Sequence, residues 1–206
     1  MKNQPNTHIQ WQTQSVLRAS REIANQHKSI AIWLTGLSGA GKSTIAQLLE
    51  KQLFQLGCKT YVLDGDNVRH GLCKDLTFTE ADRSENIRRV GQVAKLFVDA
   101  GVIVISAFIS PFKRDRDAVR HLFDAGDFIE IYCNANVAAC EKRDIKGLYA
   151  KARQGLLKDF TGISSPYESP INPELVLETS TSSAEQCVDQ ILAYLYANKV
   201  VVRLAS

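Results

Sequence analysis

Residues 36–43 read Gly-Leu-Ser-Gly-Ala-Gly-Lys-Ser, which is the residue pattern of a phosphate-binding loop (P-loop). The glycines let the backbone turn so that several N–H groups face one anion, and the helix that follows adds partial positive charge. Lys42 is long enough to reach the β- and γ-phosphates of a nucleotide, and the Ser43 hydroxyl is placed to bind Mg²⁺. The predicted ATP-binding residues of the loop are Gly36, Leu37, Ser38, Gly39, Ala40, Gly41, Lys42, Ser43 and Thr44.

A P-loop needs a strand before it and a helix after it, and the sequence has both. Residues 30–34 form an apolar run, and residues 42–56 have a helical pattern that Gly57 ends. Four more apolar runs predict strands at 60–63, 102–105, 128–133 and 175–178, with helices at 79–101 and 183–197.

This alternation of strands and helices predicts an α/β fold. We expect a P-loop NTPase-type three-layer sandwich, with a mostly parallel sheet of about five strands and helices on both faces. The 206 residues, 45% of them hydrophobic, indicate a single domain, 1–206. Residues 1–27 are expected to form an N-terminal arm and a short helix.

Composition narrows the function classes. The formal net charge of +3 is too small to indicate nucleic-acid binding. Five cysteines, an odd number without C-x-x-C spacing, indicate reduced thiols rather than disulfides or a zinc site. The polar N-terminus and the lack of a long apolar run predict a cytoplasmic protein with no membrane partner.

The acidic residues favour a small-molecule kinase. The run at 102–105 leads into Ser106 and not into an acid, whereas Asp64 and Asp66 follow the run at 60–63. The Asn-Lys-x-Asp base reader of guanine nucleotide switches is missing from the sequence. An acid beside a P-loop can orient an acceptor hydroxyl and help to hold Mg²⁺, so Asp66 is predicted to do both, with Ser43 as the other metal ligand.

The residues after Asp66 suggest an anionic acceptor. Arg69 follows the same strand, and Arg83 and Asn86 lie one turn apart at the start of the next helix. Two arginines at the mouth of a P-loop site fit a substrate that carries phosphate or sulfate. For Arg83 the alternative is a surface ion pair with Glu80 or Glu85.

Two aromatic residues and one long charged segment complete the predicted site. Phe78 and Phe160 lie in polar loops, where they could stack on a flat ring such as adenine or pack in small satellite cores. Residues 141–173 are rich in charge and contain three prolines, which predicts a lid over bound nucleotide. The alternative is a solvated surface excursion.

Further motifs surround these residues, at 63–72, 82–90, 106–111, 146–153 and 160–168. Together with the P-loop they closely resemble the adenylylsulfate kinase family, over about residues 30–178. Enzymes of that family phosphorylate the 3′-hydroxyl of adenosine 5′-phosphosulfate (APS). One departure is Ser164, where the family usually has Asp, so a lid contact that needs a carboxylate there is in doubt.

The resemblance implies roles for individual residues. Phe78 and Phe160 would sandwich the adenine of APS, and Arg69, Arg83 and Asn86 would bind its phosphosulfate and ribose. Lys42, Asp66 and Ser110 would be catalytic, with Ser110 either a phosphorylated intermediate or a hydrogen-bonding residue that positions substrate. The remaining residues that the resemblance places in the site are Ile109, Lys146 and Leu148 for APS and Arg143 and Arg153 for ATP.

The same resemblance implies the partners. ATP and APS would be the substrates, Mg²⁺ the cofactor and a homodimer the assembly, with a functional association with sulfate adenylyltransferase. Two alternatives stay open at this point: another small-molecule P-loop kinase, or a nucleotide-binding regulatory subunit without catalysis.

Overall fold

The computed structural model describes residues 9–10, 12–144 and 146–202. Most of the expected N-terminal arm, residues 1–12, lies outside the described residues. The short helix expected after it is present, as α1 (Arg18–Asn25).

The centre of the structure is a parallel sheet of five strands, as the sequence predicted. Its spatial order is β2-β3-β1-β4-β5, so β1 is the middle strand. Ala31 on β1 pairs with Val104 on β3 and with Phe128 on β4. The strands are β1 (Ala31–Thr35), β2 (Thr60–Asp64), β3 (Ile103–Ala107), β4 (Phe128–Asn134) and β5 (Leu175–Glu178).

Three long helices match the predicted ones. The bounds of four short helices were not predicted from the sequence, although residues 141–173 were expected to be part helix and part loop. The long helices are α2 (Lys42–Gln55), α4 (Glu80–Asp99) and α8 (Ala184–Ala197). The short helices are dominated by charged residues or are less than two turns long, so they lack a clear apolar periodicity. They are α3 (Gly65–Arg69), α5 (Lys113–Arg120), α6 (Val137–Arg143) and α7 (Leu148–Arg153).

Alternate residues of β1 point into two separate cores. Ile32 and Leu34 belong to a cluster that includes residues of α2 and α8, and Trp33 belongs to another that includes residues of α4 and α5. The helices therefore cover both faces of the sheet, which confirms the three-layer prediction.

The contact between α4 and α5 depends on one glycine. A Cβ atom at Gly91 would lie 2.7 Å from Cγ2 of Val119, so only a glycine lets the two helices approach this closely.

At its start, α4 is capped by Thr79, whose hydroxyl accepts from the Asp82 N–H at 3.2 Å. The Asp82 carboxylate in turn accepts from the Thr77 N–H at 3.0 Å. The start of α4, which carries the predicted acceptor residues, is therefore fixed in place.

All five cysteines are buried free thiols. Within the described ranges, His, Cys, Asp and Glu side chains form no group of three that could hold a metal ion. None of the helices in the described part of the chain has the length and apolar character needed to cross a membrane.

Candidate active site

A cavity of about 570 Å³ lies at the carboxyl ends of the strands, where open α/β sheets bind their ligands. It is continuous from the P-loop to the start of α4, and residues of α6, α7 and the following loop cover one side. The predicted site residues that line it are Ser38, Gly39, Gly41, Lys42, Ser43, Thr44, Asp66, Arg69, Phe78, Arg83, Asn86, Ile109, Ser110, Arg143, Lys146, Leu148 and Phe160.

Four predicted residues lie outside that lining. Gly36, Leu37 and Ala40 shape the loop from behind. Gly36 has a φ of +149°, and an added Cβ would lie 2.6 Å from the Cys133 carbonyl oxygen, so this position requires glycine. Arg153 is different, since its exposed side chain pairs with Glu141 at 2.7 Å. The structure thus places Arg153 on the outer side of the short helix α7, away from the cavity lining.

Lys42 lies inside the P-loop. Its Nζ donates to the carbonyl oxygens of Gly36, at 2.9 Å, and Leu37, at 2.6 Å. The side chain is 8% exposed, and burial lowers the pKa of Lys42 to about 8. Carbonyl dipoles compensate this cation only in part, so a phosphate anion beside it would be bound strongly.

Ser43 contacts Asp64 rather than Asp66. The Ser43 hydroxyl donates to Asp64 Oδ2 at 2.6 Å, and Asp64 Oδ1 accepts from the Asp66 N–H at 2.9 Å, which caps α3. The Asp66 carboxylate pairs instead with Lys146 from the lid segment. Asp64 is the last residue of β2, and its position at the strand end was the signal for this role. Of the two acids, the structure thus places Asp64 beside the Ser43 hydroxyl.

The oxygen atoms of Ser43 and Asp64 fit a magnesium ion. Mg²⁺ prefers oxygen ligands and is usually held by one or two protein groups together with substrate phosphates and water. The serine hydroxyl and the carboxylate lie side by side at the mouth of the P-loop.

Arg69 and Arg83 both pack on Phe78. Their guanidinium carbons lie 4.4 Å and 5.6 Å from the centre of the Phe78 ring. Arg69 donates to the carbonyl of Thr77 at 3.1 Å, and Arg83 donates to that of Asp159 at 2.7 Å. The second bond connects α4 to the lid segment.

The ion pair considered for Arg83 is not formed. Glu80 pairs with Arg114 at 2.7 Å, and Glu85 pairs with Arg88 at 2.6 Å. Burial lowers the pKa of Arg83, and the nearby charge of Arg69 lowers it further. Two neighbouring cations of this kind would gain from a shared anion.

Two buried polar atoms that line the cavity have no hydrogen-bond partner among the described residues. They are Oδ1 of Asn86, whose residue is 4% exposed, and Oγ1 of Thr161, whose residue is 1% exposed. Buried polar groups normally have a partner, so these atoms are candidate contacts for a ligand. Thr161 was not singled out from the sequence.

The two predicted aromatic residues differ in their surroundings. Phe78 is 58% exposed, which excludes a satellite core around it and leaves its outer face open. Phe160 packs edge-on against Tyr149, with ring centres 5.0 Å apart and an interplanar angle of 81°. Tyr149 also donates its hydroxyl to the Ser38 carbonyl at 2.9 Å, which ties α7 to the P-loop. In the sequence, Tyr149 was noted only as part of the motif at residues 146–153.

Arg143 spans the P-loop and the end of β5. It donates to the Gly39 carbonyl at 3.3 Å and to the Thr179 carbonyl. Thr179, Ser182 and Cys187 line the cavity beside it. Arg143 thus connects the P-loop to the residues that follow β5 at the cavity wall.

The Ser110 hydroxyl is already engaged in hydrogen bonds. It accepts from Trp33 Nε1–H at 3.1 Å and donates to Thr35 Oγ1 at 2.9 Å, and the residue is 2% exposed. Of the two roles left open for Ser110, this geometry favours the hydrogen-bonding one.

The pKa of Lys42 generates a test of the site. A bound triphosphate should restore the ordinary high pKa of Lys42, so binding of Mg-ATP at about pH 8.5 should take up a substantial fraction of a proton. Titration calorimetry in two buffers of different ionisation enthalpy measures that uptake. Lys42→Arg, which stays charged, should lose it. Heats of wild-type binding that do not depend on the buffer would contradict the buried position of the amine.

Comparison with known proteins agrees with this geometry. The model of the adenylylsulphate kinase family matches residues 28–178. An adenylyl-sulfate kinase of Prochlorococcus marinus is 59% identical over 189 residues, which cover 92% of this chain and 94% of that protein. One from Acaryochloris marina is 54% identical over 195 residues and covers 95% of each chain.

A solved structure shows the same fold with ligands. It is the APS kinase of Mycobacterium tuberculosis in complex with AMPPNP and APS, which has a TM-score of 0.78 and 46% identity over 82% of this chain and 98% of that chain. The P-loop, the arginine pair and the lid segment thus lie on the architecture that these relatives share. The chain belongs to the adenylylsulfate kinase family.

Proposed function

We propose that this protein is an adenylyl-sulfate kinase, which transfers the γ-phosphate of ATP to the 3′-hydroxyl of APS and yields ADP and 3′-phosphoadenosine 5′-phosphosulfate. The observation that carries this proposal is the single cavity that joins the P-loop to the Arg69–Arg83–Phe78 cluster. A kinase of this kind needs a triphosphate at one end and an anionic, planar acceptor at the other. Membership of the family supplies the identity of that acceptor.

The ATP end is built from the P-loop. Its N–H groups and Lys42 bind the β- and γ-phosphates, and Arg143 lies at the end that receives the base. Ser43 and Asp64 would hold Mg²⁺, which supplies charge neutralisation at the transferred phosphoryl group.

The acceptor end is built from α3, α4 and the lid segment. Phe78 and Phe160 stack on the adenine of APS, and the cations of Arg69 and Arg83 bind its phosphosulfate. The unpartnered Oδ1 of Asn86 accepts a hydrogen bond from the ribose. Ile109 and Leu148 form apolar walls of the same end.

Transfer depends mainly on positioning. Asp66 accepts a hydrogen bond from the 3′-hydroxyl of APS, aligns it for in-line attack and takes its proton late in the step. Lys146 pairs with Asp66 in this structure and belongs to the lid segment, residues 141–173. When the lid closes, Lys146 stabilises negative charge on the reacting phosphate. Lys42 and the loop N–H groups balance the charge that develops on the leaving ADP.

We also propose that the enzyme works as a cytoplasmic homodimer and receives APS from a sulfate adenylyltransferase. The support for these points is the family resemblance.

The reaction itself is tested by one incubation of the purified protein with Mg-ATP and APS, followed by anion-exchange chromatography. We expect a new peak of 3′-phosphoadenosine 5′-phosphosulfate, and Lys42→Ala should reduce its rate of formation by about a hundredfold or more. ADP without that peak would point to another small-molecule acceptor. Bound ATP with no turnover would favour a regulatory subunit.

Changing Asp64 or Asp66 to Asn should affect different kinetic properties of the enzyme. Asp64→Asn keeps an oxygen to cap α3 but removes the charge beside Ser43, so half-maximal turnover should need about tenfold more Mg²⁺. Asp66→Asn should reduce kcat and leave the Mg²⁺ dependence unchanged. Turnover measured across a Mg²⁺ titration separates them, and the opposite pattern would return the metal to Asp66.

Direct transfer predicts that Ser110 is dispensable for the chemical step. Ser110→Ala should retain measurable turnover, with a loss of about tenfold or less from the broken hydrogen bonds. Wild-type protein incubated with γ-labelled ATP and then denatured should carry no label on Ser110. A labelled Ser110 that transfers its phosphate to APS would show the covalent route instead.

A further inference from the structure

A polar network joins the end of the lid segment to the end of β1. At its centre is Thr35, whose Oγ1 lies 2.7 Å from the Ile109 carbonyl oxygen, 2.9 Å from Ser110 Oγ and 3.0 Å from the Tyr167 hydroxyl. The one hydroxyl proton of Thr35 goes to the carbonyl, so Thr35 must accept from both Ser110 and Tyr167. Its hydrogen-bonding capacity is then fully used, and Thr35 itself is completely buried.

Tyr167 is the lid residue in this network. Its ring stacks on Tyr132, with centres 6.0 Å apart, and the guanidinium carbon of Arg116 lies 5.9 Å from the ring centre. Burial raises the pKa of the Tyr167 hydroxyl, so it stays protonated at neutral pH and can donate, as Thr35 requires.

Arg116 holds the same two segments together from the other side. It is 2% exposed, and its Nε pairs with Glu130 on β4 at 2.8 Å. Its remaining nitrogens donate to the carbonyls of Ser110 and Glu168, each at 2.7 Å. A planar guanidinium with three separate acceptors fixes the distance between them. The Glu168 N–H also donates to the Pro111 carbonyl at 2.9 Å.

The turn that receives these bonds has a strained backbone. Ser110 has a φ of +40°, an unfavourable value for a residue with a side chain. Ile109 and Ser110 line the cavity, whereas Tyr167 and Arg116 are behind that wall. The network therefore reaches the cavity through the turn and not by direct contact.

We propose that Tyr167 and Arg116 are positioning residues that fix the C-terminal end of the lid segment to the turn carrying Ile109 and Ser110. They thereby set the spacing between this acceptor wall and the P-loop, which begins at the residue after Thr35. The proposal rests on the proposed function in one respect, because the wall is taken to contact APS. The lid would then move only in its exposed portion before Phe160, while its C-terminal end stays in place.

The test compares Tyr167→Phe with Tyr132→Phe. Each change removes one hydroxyl from the same pair of stacked rings. The Tyr132 hydroxyl lies 3.2 Å from Ser169 Oγ and, among the residues that the structure describes, forms no hydrogen bond with Thr35, Ser110 or Arg116. We expect Tyr167→Phe to raise KM for APS by about fivefold and to lower kcat, with KM for ATP within about twofold of wild type. Tyr132→Phe should match wild type.

A second readout does not depend on turnover. Glu168 is exposed in the end of the lid segment that the network holds, so limited digestion with a glutamate-specific protease reports how firmly that end is held. Tyr167→Phe should be cleaved there about threefold faster than Tyr132→Phe under native conditions.

Three results would overturn the proposal. The first is that the kinetic constants of Tyr167→Phe match those of Tyr132→Phe. The second is that Tyr167→Phe raises KM equally for ATP and APS. The third is that the two variants are cleaved at equal rates. If wild-type protein does not convert APS, the proposed function fails, and the cleavage comparison alone then supports or overturns the role of the network.

Discussion

The site depends on the way β1 is held. This strand is paired on both sides, and its residues are buried on both faces, so the position of its end is fixed by the sheet and by both cores. The chain leaves β1 at Thr35 and turns at once into the P-loop, where Gly36 passes so close to Cys133 on β4 that a side chain would not fit. The phosphate site therefore inherits its position from the core.

The acceptor side is held less directly. Arg69 and Arg83 come from short or terminal turns, and each is oriented by backbone carbonyls and by the Phe78 ring. A bond from Arg83 to Asp159 connects substrate recognition to the lid segment. The two ends of the cavity thus differ in kind: one is fixed by packing, and the other by polar contacts that a ligand can rearrange.

Much of the fold could be read from the sequence, for physical reasons. The strands are continuous apolar runs because both faces of a parallel sheet are buried, and α2, α4 and α8 are long enough to show a helical period. The bounds of the short helices α3, α5, α6 and α7 could not be read from the sequence because tertiary contacts and caps, rather than periodicity, hold them. For α7 these include the Asp144 carboxylate, which accepts from the N–H groups of Tyr149 and Ala150.

Some roles in the site could also be predicted from the sequence and others could not. Motif residues whose role depends on backbone spacing, such as Lys42 and Ser43, line the cavity as expected. Roles that depend on the direction of a side chain were harder to predict from the sequence. Asp64 and Asp66 are two residues apart, yet one faces Ser43 and the other faces Lys146 because β2 ends between them. The side of α7 on which Arg153 lies could not be inferred from six residues of helix.

The buried amine of Lys42 also affects the stability of the protein. Lowering its pKa from 10.5 to about 8 on folding corresponds to a cost of roughly 3 kcal/mol at neutral pH. The unfolded chain binds the proton more tightly, so the cost is complete below pH 8 and disappears as the pH rises towards 10.5. Near neutral pH, burial of the charged Lys42 amine therefore lowers the free energy of unfolding of the protein. Position 42 is where the protein gives up conformational stability in exchange for affinity for phosphate.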